Sequence, residues 1–98
     1  MTRDDVLERL RNDREVLRAC GVKSLSVFGS LVHGDMREGS DVDILVEFES
    51  SARIGLFEFV RLQRHLTEIL GAPVDLVTPT ALRGELREAI LREAVHAA

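Results

Sequence analysis

The sequence predicts an α/β (α+β) fold in which a small mixed β-sheet carries helices mainly on one face. Helix-like and strand-like periodicities follow one another in the order helix, strand, strand, helix, strand, helix, and such a mixture packs as helices against a sheet. A chain of 98 residues buries roughly 60–70% of its unfolded surface, which suffices for one core only. We therefore expect a single domain over residues 1–98.

The first helix is predicted to begin after Thr2 and to end at Gly21. Thr2 is a suitable N-cap, and two aspartates place negative charge in the first turn. The apolar residues fall on one half of the helical wheel; they are Val6, Leu7, Leu10, Val16, Leu17 and Cys20. Asp13 interrupts this stripe, which indicates an exposed position where the helix leaves the core. We expect Cys20 to be a small core residue rather than a reactive thiol.

Two strands are predicted over residues 24–28 and 42–48. The first alternates in polarity and then meets Gly29, and the second interleaves acidic residues with branched apolar ones. Both patterns are typical of strands with one buried face.

A long amphipathic helix is predicted over residues 54–70, ending before Gly71. Its apolar face is wide and contains Leu56, Phe59, Val60, Leu62, Leu66, Ile69 and Leu70. His65 is expected on the surface of this helix.

The rest of the chain predicts a third short strand over residues 74–77, bounded by prolines. Thr80 is then expected to cap a last helix that reaches about His96. Gly84 is the weak point of that helix, since glycine disfavours helix interiors, and His96 is expected on its surface.

The composition argues against several classes of protein. The net charge of −4 and pI of about 5.3 disfavour nucleic acid as a partner, because such binders usually carry a broad basic surface. No apolar run approaches the roughly 20 residues of a membrane helix, and the charged N-terminus lacks a signal-peptide pattern. The single cysteine cannot form an internal disulfide. We therefore expect a cytoplasmic protein with no membrane segment.

A glycine turn at the end of the first strand is the first candidate for ligand binding. Gly29 allows the backbone to approach a ligand closely. If a helix begins at Ser30, its free N–H groups and its dipole would favour a phosphate.

Three carboxylates form the second candidate. Asp41 and Asp43 are two residues apart on a predicted strand, so they share one face. Like charges held together are unfavourable unless a cation lies between them, and such oxygen ligands suit Mg²⁺ bound with substrate phosphates. Asp75 has a similar setting in the third strand. Together the three carboxylates could hold two metal ions ~3.5–4 Å apart.

Each of these pieces is weak alone. Gly-Ser pairs are common, and acidic residues in strands usually point to water. Their order and spacing together favour a functional site.

This combination resembles the nucleotidyltransferase superfamily that includes DNA polymerase beta. The resemblance rests on Phe28-Gly29-Ser30, ten intervening residues, and then Asp41-Val42-Asp43 followed by Ile44-Leu45-Val46. Residues 73–79 and 86–95 are similar to one branch, the minimal nucleotidyltransferases. These are MNT antitoxins paired with HEPN-domain toxins. The similarity covers nearly the whole chain and implies a polymerase beta-like core.

The resemblance implies specific roles. Gly29 and Ser30 would contact the triphosphate, and Asp41 and Asp43 would ligate two Mg²⁺ ions. Asp75 would be a third metal ligand and would accept the proton of the attacking hydroxyl. The implied reaction moves AMP from ATP to a tyrosine of the partner HEPN ribonuclease and releases pyrophosphate. The chain contains no tyrosine, which fits modification of another chain.

One position departs from the family pattern. Members often carry arginine before the second glycine of the motif, where this chain has His33 before Gly34. Histidine is cationic only below a pKa near 6.5, so triphosphate binding would be weaker or more dependent on pH, unless His33 is simply an exposed loop residue. Ser40 could orient a ligand carboxylate, although a turn residue is the simpler interpretation.

Two other functions remain open. The chain could be an antitoxin that neutralises its partner by binding alone, with Leu91 and Val95 in the partner surface, although packing within the domain is the simpler role for both. The acceptor could instead be an RNA end or a small hydroxyl compound, which the acidic charge and the small domain disfavour. A site this open leaves room for a partner, or a second copy in a homo-oligomer, to complete the acceptor pocket.

Overall fold

A computed structural model describes residues 2–33 and 41–98. They form a four-stranded sheet in the order β3-β2-β1-β4, together with five α-helices and one 3₁₀ turn in the described ranges. The elements in chain order are α1 (Arg3–Asn12), α2 (Arg14–Ala19), β1 (Val22–Phe28), α3 (Ser30–His33), β2 (Val42–Phe48), α4 (Leu56–Leu70), β3 (Val74–Val77), the 3₁₀ turn (Pro79–Ala81), α5 (Gly84–Glu93) and β4 (Val95–His96). The predicted mixed sheet is confirmed.

The sheet combines both strand directions. β1 pairs antiparallel with β2 and with β4, whereas β2 and β3 run parallel. The parallel pair requires a crossover, which α4 supplies. As a result, the end of β1 and the starts of β2 and β3 meet at one end of the sheet.

The core lies between one face of the sheet, here called the helix face, and the helices α1, α2 and α4. The helix face is formed by Leu25, Val27, Val42, Ile44, Val46, Val74 and Leu76. The helices bury Val6, Leu7, Leu10, Leu17, Leu62, Leu66 and Leu70 against it. The prediction of helices mainly on one face is therefore confirmed.

The predicted cap of the first helix is confirmed. The Thr2 hydroxyl accepts a hydrogen bond from the Asp5 N–H at 3.2 Å, and the Asp5 carboxylate accepts one from the Thr2 N–H at 2.9 Å. This reciprocal pair satisfies two backbone donors that a helix start leaves free.

The prediction of one continuous first helix is wrong, because the helix breaks at Asp13. The Asp13 carboxylate lies 2.6 Å from Nε2 of His65 on α4, and both side chains are partly buried. The interpretations of Asp13 as an exposed position and of His65 as a surface residue are therefore corrected. The change of direction at Asp13 also turns Val16 and Cys20 into solvent, so Cys20 is not a core residue.

The apolar face of α4 is narrower than predicted. Leu62, Leu66 and Leu70 are buried, whereas Leu56 is 77% exposed and Val60 is also exposed. The helix starts two residues later than expected, at Leu56, and it ends as predicted before Gly71, which adopts a left-handed φ of +67°.

The prediction of a last helix from Thr80 to about His96 is wrong at both ends. Thr80 lies in the 3₁₀ turn, α5 begins at Gly84, and the helix stops at Glu93. The next residues form β4, which places His96 on a strand opposite Ser26.

Backbone pairing explains why the last helix stops. The Leu25 N–H donates to the Ala98 carbonyl at 2.7 Å, and the Ala97 N–H donates to the Leu25 carbonyl at 2.8 Å. This pairing satisfies backbone N–H and C=O groups at the edge of β1, which would have no partner if the last helix continued. Val95 packs against the core, in agreement with the simpler of its two interpretations, whereas Leu91 is exposed.

Among the described helices, the longest has 15 residues. None of them is both long and apolar enough to span a membrane.

Candidate active site

The predicted glycine turn joins β1 to α3. Gly29 adopts φ +72°, a left-handed conformation that other residues rarely adopt. A Cβ at this position would also overlap a carboxylate oxygen of Asp43 and would lie 3.1 Å from its Cγ. Gly29 is therefore required both for its backbone conformation and for its close approach to Asp43.

The short helix α3 begins at Ser30, as predicted. Leu31 is buried in the core and holds the helix against the sheet, and the Val32 N–H donates to the Gly29 carbonyl at 3.1 Å. α3 therefore starts directly at the end of β1, next to the glycine turn.

Asp43 and Asp75 are direct neighbours on the two parallel strands. Asp43 is also paired with Phe28, the last residue of β1. Adjacent strands lie about 4.8 Å apart, so Asp43 lies beside the glycine turn and Asp75 lies one strand further along the sheet. They project from the face opposite the helix face, which we call the carboxylate face and which includes Phe28, Asp43, Leu45 and Asp75.

The electrostatics of Asp43 reflect this crowding. Burial raises the pKa of the Asp43 carboxyl above its ordinary value, and the charges of Asp75 and Asp41 raise it further. A hydrogen bond with the Asp75 side chain acts in the same direction. Three carboxylates are therefore close enough to repel one another, as the sequence predicted, although Asp41 and Asp75 are more exposed than Asp43.

This donor set suits a divalent cation. The repulsion that raises the pKa of Asp43 would be relieved by a cation bound between the carboxylates, and oxygen ligands are those that Mg²⁺ prefers. Within residues 2–33 and 41–98, no three His, Cys, Asp or Glu side chains are already spaced as a metal site. The two Mg²⁺ ions therefore stay a prediction.

Two predicted ligand residues cannot be placed fully. Ser40 lies outside the described residues, and of His33 only the backbone, at the end of α3, is described. Their assigned contacts with the nucleotide stay predictions. Of the predicted set, the structure brings together Gly29, Ser30, Asp43 and Asp75 and places Asp41 directly before β2.

The sequence reasoning missed the residues that position β3. The Gln63 side-chain amide donates to the Val74 carbonyl at 2.9 Å, directly before Asp75. The Val42 N–H donates to the Pro73 carbonyl at 2.8 Å and joins the starts of β2 and β3. Gln63 lies on the otherwise apolar stripe of α4, and that polar interruption was the available signal.

A second missed contact fixes the helix that leads into β3. The Arg9 guanidinium donates to the Leu70 carbonyl at 3.1 Å, at the C-terminal end of α4. A cation there complements the helix dipole as well as a free carbonyl. The Arg9 contact could not be predicted from local sequence, since Arg9 and Leu70 are 61 residues apart.

Comparison with known proteins identifies the arrangement. The nucleotidyltransferase domain family matches residues 6–96. MntA, a protein adenylyltransferase of Thermococcus cleftensis, is 41% identical over 83 residues, which cover 85% of this chain and 82% of the relative. A candidate protein adenylyltransferase of Methanocaldococcus jannaschii is 42% identical and covers 82% of this chain and 84% of that protein.

Solved structures agree with this result. A candidate minimal nucleotidyltransferase superposes with a TM-score of 0.81 at 36% identity, covering 97% of this chain and 95% of that one. A toxin–antitoxin complex with AMP-PNP shares the fold at 21% identity, with a TM-score of 0.71 over 91% of this chain and 72% of that chain.

The carboxylates and the glycine turn thus occur in a fold and a sequence that both have known relatives. The chain belongs to the nucleotidyltransferase domain family and is a nucleotidyltransferase.

Proposed function

We propose that this chain transfers AMP from ATP to a hydroxyl of a partner protein, a tyrosine of a cognate HEPN ribonuclease toxin, and thereby acts as its antitoxin. The observation that carries the proposal is the pairing of Asp43 with Asp75 beside the Gly29 turn. Similarity to proteins named protein adenylyltransferases supports the donor and the class of acceptor. The chain acts as a single domain over residues 1–98.

ATP binds along the end of β1 in this proposal. The backbone of Gly29 and Ser30 donates hydrogen bonds to the triphosphate, which the start of α3 favours electrostatically. His33 and Ser40 complete the nucleotide contacts. Because Gly29 has no Cβ, the space between the turn and the Asp43 carboxylate stays open.

Asp41, Asp43 and Asp75 hold two Mg²⁺ ions in this proposal, with support from the mutual repulsion of the three carboxylates. When bound, Mg²⁺ neutralises phosphate charge and lowers the pKa of the acceptor hydroxyl. The chain itself orients the α-phosphate against the acceptor, since Gln63 and the backbone of β2 fix the position of β3.

The reaction balances as a single displacement. The acceptor oxygen forms a bond to the α-phosphorus, and the bond from that phosphorus to the oxygen that bridges to the β-phosphate breaks. Pyrophosphate leaves with that oxygen, and the hydroxyl proton passes to the carboxylate of Asp75. Asp75 suits this role because it is exposed on the carboxylate face.

The acceptor lies on another molecule, since this chain contains no tyrosine. The partner toxin, or a second copy of this chain in a homo-oligomer, completes the acceptor pocket. We place the reaction in the cytoplasm, where ATP is available.

Transfer of label from ATP labelled at the α-phosphate tests the proposal. The reaction contains this chain, Mg²⁺ and the protein encoded by the adjacent gene, and Asp41→Asn and Asp43→Asn serve as controls. We expect label on the partner with the wild-type chain, loss of that label in both variants, and loss of label when EDTA removes the metal.

Other outcomes identify the alternative functions. A partner that is bound and inhibited without label would show an antitoxin that acts by binding alone. Label on RNA or on a small hydroxyl compound would change the acceptor and leave the chemistry in place.

A further inference from the structure

A cleft of about 460 Å³ lies at the opposite end of β1 from the glycine turn. Three segments line it: the end of α2, the loop between β2 and α4, and the first turns of α4. β1 spans seven residues, so the cleft and the carboxylates are about 20 Å apart at 3.3 Å per residue. The cleft is therefore separate from the proposed active site.

Three arginines, one from each segment, converge on this cleft. They are Arg18, Arg53 and Arg61, and Ile54 and Leu62 provide an aliphatic floor. We call this surface the arginine cleft. In the part of the chain that the structure describes, none of the three guanidinium groups has a carboxylate at ion-pair distance.

The acidic residue that lines the cleft, Glu58, offsets one of these three positive charges and leaves an excess of the other two. The Glu58 carboxylate accepts a hydrogen bond from the Gly55 N–H at 3.2 Å and caps the start of α4. A carboxylate held at a helix N-terminus is already stabilised there by the helix dipole. The arginine cleft is thus a local excess of positive charge on a chain whose net charge is −4.

The cleft has a preformed wall. The Glu49 N–H donates to the Gly21 carbonyl at 2.9 Å, which ties the loop after β2 to the start of β1. A Cβ at Gly21 would approach the Cβ of Ala52 to 2.9 Å, so the loop packs directly on the glycine. A rigid wall lowers the ordering cost of binding.

The apolar surface continues beyond the cleft. Phe57 is 84% exposed and lies one helical turn before Arg61, on the same side of α4. The neighbouring Leu56 is also exposed. These two exposed apolar side chains extend the surface that the arginine cleft offers to a protein partner.

We propose that the arginine cleft is a docking site for an acidic amphipathic segment of the partner protein. The carboxylates of that segment pair with Arg18, Arg53 and Arg61, one apolar side chain contacts Ile54, and Phe57 packs at the rim. The charge complementarity selects this occupant over nucleic acid, because three arginines on an acidic chain do not form the extended basic surface that a phosphate backbone needs. That the partner is the acceptor protein rests on the proposed function.

A docking site this far from the carboxylates contributes to partner affinity and does not take part in the transfer step. Paired guanidinium and carboxylate groups form bidentate hydrogen bonds, and rim pairs of this kind weaken as salt screens them. The arginine cleft should therefore make partner binding dependent on ionic strength.

Calorimetric titration of the partner into this chain, without ATP so that no transfer occurs, tests the docking site. Arg61→Glu reverses one charge in the cleft. Arg64→Glu makes the same change of charge on the same helix, but Arg64 lies outside the cleft, next to Val60 and Thr67. We expect Arg61→Glu to raise the Kd about tenfold, as losses at interface arginines commonly do, and to reduce the salt dependence. Arg64→Glu should change the Kd less than about twofold.

A second variant addresses the apolar part. Phe57→Ser should also weaken binding, whereas Leu86→Ser, an exposed apolar residue on α5, should not. Thermal unfolding of each variant verifies that the fold is intact.

Several results would overturn the docking site. One is an equal change of the Kd in Arg61→Glu and Arg64→Glu. Another is a wild-type chain that does not bind the partner. A third is binding of labelled single-stranded RNA that Arg61→Glu abolishes. The two proposals fail separately. Absent label transfer with arginine-dependent binding would refute only the chemistry, and normal transfer with equal Kd values would refute only the docking site.

Discussion

The helix face and the carboxylate face of the sheet are built from alternate residues of the same strands. In β2, Val42, Ile44 and Val46 are fully buried on the helix face, and Asp43 lies between them on the other face. Side chains in a strand alternate in direction, so the seven residues of β2 provide both core packing and the carboxylate that we propose for catalysis. The comparison teaches that stability and activity can be changed independently within one strand.

We expect the largest effect from a substitution on the carboxylate face, which should lower activity without lowering stability. Asp43→Asn should lower nucleotidyl transfer about 10³-fold, equivalent to about 4 kcal/mol of transition-state stabilisation. The same change should leave the free energy of unfolding unchanged or raise it, because it removes a partly buried charge that Asp75 and Asp41 repel. Rates with the labelled partner and denaturant titration measure the two quantities. A loss of stability by more than about 1 kcal/mol would contradict the comparison.

A substitution on the helix face should have the opposite signature. Leu66 is fully buried, so Leu66→Ala should lower the free energy of unfolding by about 2–5 kcal/mol through lost burial and a cavity. Leu91→Ala on the exposed surface of α5 serves as control and should change it by less than about 0.5 kcal/mol. Urea titration measures the free energy of unfolding of both variants. Equal losses for the two would contradict the placement of Leu66 in the core.

A substitution at Gly29 should affect both stability and activity, because this glycine has a left-handed backbone and lies against Asp43. Gly71→Ala, at φ +67° with no atom within 4 Å of the new Cβ, should cost about 1 kcal/mol for the left-handed backbone alone. Gly29→Ala, at φ +72°, should cost about 1–2 kcal/mol more because the methyl group must displace the Asp43 carboxylate. It should also abolish transfer, unlike Gly71→Ala. Equal unfolding free energies for the two variants would argue against the close approach of Gly29 to Asp43.

The contact between Asp13 and His65 should have a smaller effect, confined to the helices. Asp13→Asn, His65→Gln and the double variant form a thermodynamic cycle, for which we expect a coupling free energy of about 1 kcal/mol or less. Transfer rates should stay unchanged throughout. Additive effects on unfolding would show that the helix break at Asp13 does not depend on this pair.

The smallest expected effect concerns pH. The backbone and side chain of Thr2 lower the pKa of Asp5 below its ordinary value of 3.8. Since the unfolded chain then binds the proton more readily than the folded chain, Asp5 adds stability above that ordinary value. The contribution is lost as pH falls through the lowered pKa of the folded state. Asp5→Asn should flatten the acid limb of the stability profile, and an unchanged limb would contradict the capping role.

The elements with strong local signals were predictable. Thr2, Gly21 and Gly71 mark helix boundaries through capping and left-handed φ angles, which are local properties of the backbone. The strands 42–48 and 74–77 were predicted with their correct bounds because alternation in polarity reports one buried face. The proximity of Asp43 and Asp75 to the Gly29 turn was predicted from the same alternation together with the family resemblance.

The errors have a common physical cause, which is pairing between distant segments. The helical pattern was predicted to reach about His96, but Val95 and His96 pair instead with the edge of β1, and Ala97 and Ala98 bond to Leu25. Asp13 breaks the first helix beside His65, a partner 52 residues away. Cys20 and Val16 became exposed as a consequence.

By itself, the sequence determined the class of fold, the family and the candidate site residues, because periodicity, capping and motif spacing are local. The tertiary structure alone decided three things: the parallel register that sets Asp43 against Asp75, the contact of Gln63 that positions β3, and the convergence of Arg18, Arg53 and Arg61 on one cleft. These depend on which segments meet. That choice is made by burial of the whole core and by pairing of strand edges, to which every element contributes.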